Sequence, residues 1–108
     1  MKGDLRYMWV LVFFDLPVKK PEQRRAANQF RNFLLKDGYV MLQYSVYARV
    51  CKGGEGAAKH LQRAQGHLPG EGSIRALQVT DKQYARMQIL LGNLVPEERT
   101  EGEQLLFF

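Results

Sequence analysis

The first apolar segment constrains the fold more than any other feature of the sequence. It runs without polar alternation for seven residues, Met8–Phe14 (MWVLVFF), and ends at Asp15. Uninterrupted β-branched and aromatic runs of this length are typical of a strand that is covered on both faces or lies in the centre of a sheet. The run is too short to cross a bilayer, which needs about 20 apolar residues, and it lacks the cleavage site of a secretion signal. It therefore predicts a central strand of a soluble, cytoplasmic domain.

A helix is predicted directly after this strand and a short loop. Pro21 suits the first helical turn, Glu22 complements the helix dipole, and Gly38 ends the pattern. Apolar residues in this interval recur at i, i+4, i+7 and i+8, which places them on one helix face. These residues are Ala26, Phe30, Phe33 and Leu34.

Two further strands and a second helix are predicted next. Tyr39–Val50 is longer than most single strands, so we interpret it as a hairpin that turns near Tyr44 and Ser45. A loop at Lys52–Gly56 precedes an amphipathic helix that stops at a cluster of Gly and Pro residues beginning with Gly66.

A fourth strand is predicted at Ser73–Thr80. Thr80 and Gln83 have the spacing of a capping box, which predicts a short helix over Asp81–Met87, with a strand at Met87–Leu91 as the alternative.

The predicted order β-α-β-β-α-β indicates an α+β, ferredoxin-like fold, in which two helices cover one face of an antiparallel sheet. The 108 residues are expected to form a single domain, with a core at 1–80 and a C-terminal extension at 81–108. The extension ends in a short apolar run, Gln104–Phe108, which is stable only if it pairs with another strand.

Positive charge is concentrated on the first predicted helix and the loop before it. The chain has 16 Lys and Arg against 11 Asp and Glu, a net charge of +5. Residues 17–36 contain one anion, Glu22, and six cations, so this segment alone carries a surplus equal to the net charge of the chain. The cations are Lys19, Lys20, Arg24, Arg25, Arg31 and Lys36. Such clustering indicates an anionic partner such as nucleic acid, with a solvated helix face as the ordinary alternative.

Asp15 is the candidate catalytic and metal-binding residue. A carboxylate directly after an apolar strand lies where the strand leaves the sheet, close in sequence to Lys19 and Lys20. It can provide a hard oxygen ligand for magnesium, or it can hydrogen-bond its own turn. A single carboxylate holds magnesium poorly, but a two-fold dimer would place two copies of Asp15 opposite each other.

Residues of the predicted hairpin offer weaker signals for nucleic-acid binding. Ser45 is a candidate phosphate contact, although a serine at a turn is more often structural. Three tyrosines can stack on bases, or they can pack in the core or across strands. They are Tyr39, Tyr44 and Tyr47.

Several other kinds of site are disfavoured by the composition. The single cysteine, Cys51, excludes an internal disulfide framework and paired-cysteine zinc sites. His60 and His67 have no third ligand near them in sequence, so a zinc site there is not expected. The acidic stretch Glu97–Glu103 is a candidate docking surface for a basic partner.

The whole chain resembles the CRISPR-associated protein two family, small ferredoxin-like proteins of the spacer-acquisition complex. Five segments carry the resemblance: VFFDLP (Val12–Pro17), EQRRAANQFRNFLLKDG (Glu22–Gly38), QYSVYARV (Gln43–Val50), GSIRALQVTDKQYARM (Gly72–Met87) and the closing LLFF. Phe14 stands where the family often has Tyr, which leaves Asp15 intact.

The resemblance implies a homodimer in which Gln104–Phe108 of one subunit adds to the sheet of the other. It implies that two Asp15 side chains face each other and bind magnesium, with manganese as an alternative, for endonuclease cleavage of RNA or DNA. It also implies a second role, a non-catalytic bridge that holds foreign duplex DNA on its basic face between integrase dimers. No membrane partner is expected.

A non-catalytic RNA-binding module of the same topology is the alternative function, with single-stranded RNA as its partner. It rests on the aromatic stretch Lys36–Tyr44, which falls on the second predicted strand, whereas the RNA-binding motif of such modules belongs on the third.

Overall fold

The structure is a computed structural model, and it describes residues 7–98. Four strands and two long helices follow one another in the predicted order. They are β1 (Tyr7–Asp15), α1 (Pro21–Lys36), β2 (Val40–Gln43), β3 (Val46–Lys52), α2 (Gly53–Gln65) and β4 (Ser73–Thr80), followed by a short helix α3 (Asp81–Ala85) and a 3-10 turn (Pro96–Glu98). The predicted run Gln104–Phe108 lies outside the described residues.

The four strands form one antiparallel sheet in the order β2-β3-β1-β4. The strand formed by the first apolar run is paired on both sides, as its composition predicts. The predicted hairpin is confirmed, because β2 and β3 are separated only by Tyr44 and Ser45. The α+β, ferredoxin-like prediction is therefore confirmed.

The main core lies between the sheet and the two long helices. Alternate residues of β1 point into it: Val10, Val12 and Phe14 are all at most 7 % exposed. They meet a helix face that includes Phe30 and Leu34 of α1, as the periodicity predicts. Ala27 is buried and Ala26 only partly, so the apolar face is rotated slightly from the predicted one.

A smaller core covers part of the opposite face of the sheet. Trp9 stacks on Tyr84 of α3 with ring centroids 4.0 Å apart, and its indole N–H donates to Asp81 Oδ1 at 2.7 Å. The Tyr84 hydroxyl donates in turn to Glu98 Oε1 at 2.7 Å, and Glu98 is 6 % exposed. One member of the acidic stretch proposed as a docking surface therefore faces inward and anchors the chain after α3.

Two predicted boundaries are wrong. Lys52–Gly56 is not a loop, since β3 runs to Lys52 and α2 begins at Gly53. Its glycines have low helix propensity, but packing of the later turns of α2 on the sheet extends the helix through them. The third helix ends at Ala85 rather than Met87, and residues 87–91 do not form the alternative strand.

No helix within residues 7–98 is long and apolar enough to cross a membrane.

A partly buried carboxylate joins the two long helices. Asp37, directly after α1, accepts from Arg63 at 2.9 Å and lies 2.7 Å from His60 Nδ1, both on α2. Burial alone would raise the pKa of the Asp37 carboxyl, but the hydrogen bonds and charges of His60 and Arg63 outweigh it and hold that pKa below its ordinary value of 3.8. The cluster stabilises the α1–α2 contact when Asp37 is ionised.

Folding stability is expected to fall in acid through this cluster. Because the folded-state pKa of Asp37 lies below its unfolded-state value of about 4, the stabilisation is full above about pH 5 and is lost as the pH falls through the folded-state pKa. Asp37→Asn should lower the free energy of unfolding by about 2 kcal/mol at pH 7 and by much less near pH 3. Urea denaturation at both pH values measures this, with Glu55→Gln on the exposed start of α2 as control. An equal loss at both pH values would contradict the prediction.

Candidate metal and nucleic-acid site

Asp15 is the last residue of β1, and its side chain is exposed. Side chains alternate along a strand, so Asp15 shares a face with Leu11 and Phe13. This face is the one opposite α1 and α2, because Val12 and Phe14 point toward the helices. The candidate catalytic carboxylate therefore opens onto the side of the sheet that the long helices leave uncovered.

A shallow open depression surrounds Asp15 at this end of the sheet. The β1–β4 register places Asp15 opposite Ser73, and residues 71 and 72 complete the rim with Pro17. Gly72 has a φ of +109°, and a Cβ there would lie 2.8 Å from the backbone oxygen of Asp15. Only glycine allows β4 to begin this close to the end of β1.

The donor set of this depression suits a hard cation. Asp15 and Glu71 supply carboxylate oxygens and Ser73 supplies a hydroxyl, which are the ligand types that magnesium and manganese accept. Within residues 7–98, however, no three His, Cys, Asp or Glu side chains come close enough together to hold a metal ion. The oxygen ligands of Asp15, Glu71 and Ser73 are of the type that this cation prefers. One copy of residues 7–98, however, supplies too few such ligands to hold the ion.

Two of the predicted phosphate-binding cations lie in the loop that leaves Asp15. Lys19 and Lys20 are exposed, and their backbone N–H groups donate to the Gln23 side chain at 3.1 and 3.0 Å. Gln23 also donates to the Glu71 carboxylate at 3.3 Å. This one side chain thus holds the lysine loop to both α1 and the rim of the depression.

Arg24 and Arg25 extend the positive surface along the first turns of α1. Both are exposed. Arg24 donates through one guanidinium nitrogen to the backbone oxygens of Val18 and Lys19, each at 3.0 Å. Arg24 therefore shapes the loop as well as adding charge to it.

Arg31 differs from the other predicted cations, because it is only 8 % exposed. Its guanidinium carbon lies 3.9 Å from the Tyr44 ring centroid and 5.4 Å from that of Phe14. Its Nε–H donates to the backbone oxygen of Tyr44 at 3.3 Å. Arg31 braces the β2–β3 turn against α1, which its position in a cation cluster does not indicate.

Ser45 lies at the same end of the sheet as Asp15. Its backbone oxygen accepts from the Phe14 N–H at 3.0 Å, which fixes the turn beside the last residues of β1. The side chain is half-buried. A phosphate contact by its hydroxyl stays a prediction.

Sequence reasoning missed Glu71, Gly72 and Gln23 as members of this region. Glu71 and Gly72 become neighbours of Asp15 only through the β1–β4 pairing, which joins residues far apart in sequence, and Gln23 joins the region through its hydrogen bonds to the lysine loop and to Glu71. The signal was nevertheless present: in a ferredoxin-like sheet the start of the fourth strand lies against the end of the first, which directs attention to the residues around Ser73.

Cys51 does not belong to this region. It lies in the helix-side core near the start of β1, and burial raises the pKa of its thiol. A buried thiol of this kind is a poor nucleophile.

Comparison with known proteins decides the family. The sequence profile described as CRISPR associated protein Cas2 matches residues 8–87, from β1 through α3. The chain belongs to the Cas2 family. The match includes every strand of the sheet and the whole candidate Cas2 site, from Asp15 to Ser73.

Curated Cas2 relatives agree over nearly the full length. A protein of Acidovorax ebreus (strain TPSY) is 50 % identical over 102 residues, which is 94 % of this chain and 100 % of the relative. A Campylobacter jejuni protein is 43 % identical over 91 % of this chain and 68 % of its own, and one from Flavobacterium psychrophilum is 41 % identical over 98 % and 92 %. All three carry the name CRISPR-associated endoribonuclease Cas2.

Proposed function

We propose that the chain acts in CRISPR spacer acquisition as a homodimer. The dimer binds nucleic acid through the loop before α1 and the start of that helix. It cleaves phosphodiester bonds at a metal ion held between two Asp15 side chains. The observation that carries the proposal is the exposed Asp15 at the open end of β1, beside the Lys19 and Lys20 loop. The names of the relatives favour RNA as the cleaved substrate.

A second copy of the chain is supported by the apolar surface on the Asp15 face of the sheet. Phe13 is 38 % exposed and Leu77, on the same face, 51 %. Leu90 and Leu91, which lie over this face near Phe13, are 90 % and 95 % exposed. Apolar residues grouped in this way favour burial against a partner. A partner related by a two-fold axis would bring its own Asp15 to the same interface.

The outer edge of β4 supports the same arrangement. Among the described residues β4 pairs only with β1, so its other edge offers unpaired backbone groups. An open edge of eight residues accepts an added strand readily. We propose that Gln104–Phe108 of the partner supplies it, which would give the apolar end of the chain a place to pair.

The chemistry follows from the donor set. Magnesium or manganese, when bound, supplies Lewis acidity toward a phosphoryl oxygen and lowers the pKa of bound water. The two Asp15 carboxylates would hold the ion, and Glu71 and Ser73 lie within the same depression to bind or orient water. Lys19 and Lys20 would hold the phosphates on either side of the scissile bond.

Neutralising the loop and helix cations is expected to weaken nucleic-acid binding. The double variant Lys20→Gln and Arg25→Gln should lower affinity for both RNA and duplex DNA by about tenfold at physiological salt. It should reduce the slope of log affinity against log salt by about one for each phosphate that the protein no longer neutralises. Fluorescence anisotropy across a salt series measures both quantities.

The matched control removes the same charge elsewhere. Lys52→Gln with Lys59→Gln alters two exposed cations, Lys52 at the end of β3, paired with Tyr7 at the other end of β1 from Asp15, and Lys59 in the middle of α2. Its affinity and salt slope should stay close to wild type apart from the general effect of net charge. If both double variants lost the same amount of nucleic-acid affinity, the proposal that α1 and its preceding loop form the binding surface would be wrong.

A non-catalytic role is the second candidate, and the position of the α1 cations favours it. Arg24 and Arg25 extend the basic surface along α1, on the face of the sheet opposite the one onto which Asp15 opens, so binding by this part of the surface does not require an intact carboxylate. In this role the dimer would hold foreign duplex DNA and bridge integrase dimers. Spacer acquisition in cells that carry Asp15→Ala separates the roles: retained acquisition supports the bridge, and loss in a variant that still dimerises supports the enzyme.

A further inference from the structure

Tyr44 is the exposed member of the three tyrosines in the hairpin segment. Tyr39 and Tyr47 are 3 % and 1 % exposed and pack in the core, so for them the structural interpretation holds. Tyr44 is 66 % exposed, at the tip of the two-residue turn between β2 and β3. A large aromatic side chain left in solvent at a fixed turn requires a different explanation.

The ring of Tyr44 is held rigidly although it is exposed. The Arg31 guanidinium lies 3.9 Å from the Tyr44 ring centroid and 5.4 Å from that of Phe14. The guanidinium group therefore contacts both aromatic rings. The turn below is pinned by Arg31 Nε–H to the Tyr44 oxygen and by the Phe14 N–H to the Ser45 oxygen. Because these contacts order the ring in advance, little entropy is lost when a ligand stacks on its open face.

The surroundings of this ring are cationic. Arg24 and Arg31 are seven residues apart on one flank of α1, which corresponds to about 10 Å along the helix axis. That flank leads from the Lys19 and Lys20 loop, which Arg24 contacts, to the Tyr44 turn. The exposed cations Lys19, Lys20 and Arg24 lie on a path that ends at an exposed aromatic ring. Proteins bind single-stranded nucleic acid with this arrangement, in which charge follows the backbone and the ring stacks on a base.

From this geometry we propose that Tyr44, backed by Arg31, is a stacking surface for the base of an unpaired nucleotide. The inference rests on the proposed nucleic-acid binding and adds a preference to it. The faces of bases inside a continuous duplex are covered by their neighbours, so the surface is available to a single strand or an overhang. Arg31 acts as a positioning residue that holds the ring.

The test compares two probes on the full-length protein. One is a single-stranded oligonucleotide with one 2-aminopurine, whose fluorescence is quenched on stacking, and the other is a blunt duplex of the same length. Tyr44→Ala should weaken single-strand binding by about tenfold and reduce the quenching, and it should change duplex affinity less than twofold. Tyr44→Phe and Tyr44→Trp keep a π face and should retain both signals.

Tyr44→Leu separates stacking from structure, because it still covers Arg31 but has no aromatic face. It should melt close to wild type and behave like Tyr44→Ala in binding. Unchanged quenching in Tyr44→Ala, equal loss for both probes, or wild-type binding by Tyr44→Leu would overturn the proposal. These outcomes are distinct from failure of the proposed function, in which Lys20→Gln with Arg25→Gln would leave both probes bound as in wild type.

Discussion

Asp15→Asn is expected to reduce metal-dependent cleavage by about a thousandfold. A neutral amide oxygen is a much weaker ligand for magnesium than a carboxylate, and an active-site metal supplies several kcal/mol of transition-state stabilisation. Each 1.4 kcal/mol or so corresponds to a factor of ten in rate. Asparagine has nearly the same shape, so the end of β1 should be undisturbed. Cleavage of end-labelled RNA in magnesium and in a chelator measures the effect.

The same preparation provides the controls. Glu55→Gln removes a carboxylate at the far end of the sheet and should cleave at the wild-type rate. Light scattering should give the same mass for Asp15→Asn and wild type, which separates loss of the metal ligand from loss of the proposed dimer. Cleavage that persists in Asp15→Asn would assign the activity to another site or to a contaminating nuclease.

Gly72→Ala is expected to lower the free energy of unfolding by about 2–4 kcal/mol. The added methyl group meets the Asp15 backbone oxygen at 2.8 Å and Leu16 Cδ2 at 2.7 Å, and the φ of +109° is strained for any other residue. Urea denaturation measures the loss. Since the methyl group presses on the backbone of Asp15 itself, cleavage should fall even at temperatures where the variant stays folded.

Gly70→Ala is the matched control two residues earlier in the same loop. A Cβ at Gly70 has no atom within 4 Å, so the substitution should change stability by less than about 0.5 kcal/mol. If the two variants were equally stable, the contact of Gly72 with the end of β1 would not be the constraint on this loop.

The strands and the order of elements were predictable because their signals are local. The apolar run of β1 and the length of Tyr39–Val50 each imply their structure without knowledge of partners. The limits of α2 were not predictable in this way, because packing on the sheet extends the helix through glycines that disfavour it. Where intrinsic helix propensity and tertiary packing disagree, packing determines the structure.

The candidate site was predictable only in part, for a similar reason. Asp15 stands out because a charge directly follows an apolar strand. Glu71 and Gly72 gain their significance from the β1–β4 pairing, which follows from the predicted topology of the whole sheet and not from any local spacing in the sequence. Arg31 looked like its neighbours in a cation cluster, and only the contact with Tyr44 and Phe14 shows that its charge is used inside the fold.

Successive side chains of β1 point to opposite faces of the sheet, so the residue number of each position determines its face. Odd-numbered positions from Trp9 to Asp15 belong to one face and even-numbered positions from Val10 to Phe14 to the other. Insertion of a single residue into the strand before Asp15 would exchange the faces, sending the carboxylate toward the helices and a core residue to the surface. Insertion of two residues would return the Asp15 carboxylate to its original face of the sheet. The length of the segment that precedes Asp15 is thus constrained in steps of two, whatever residues compose it.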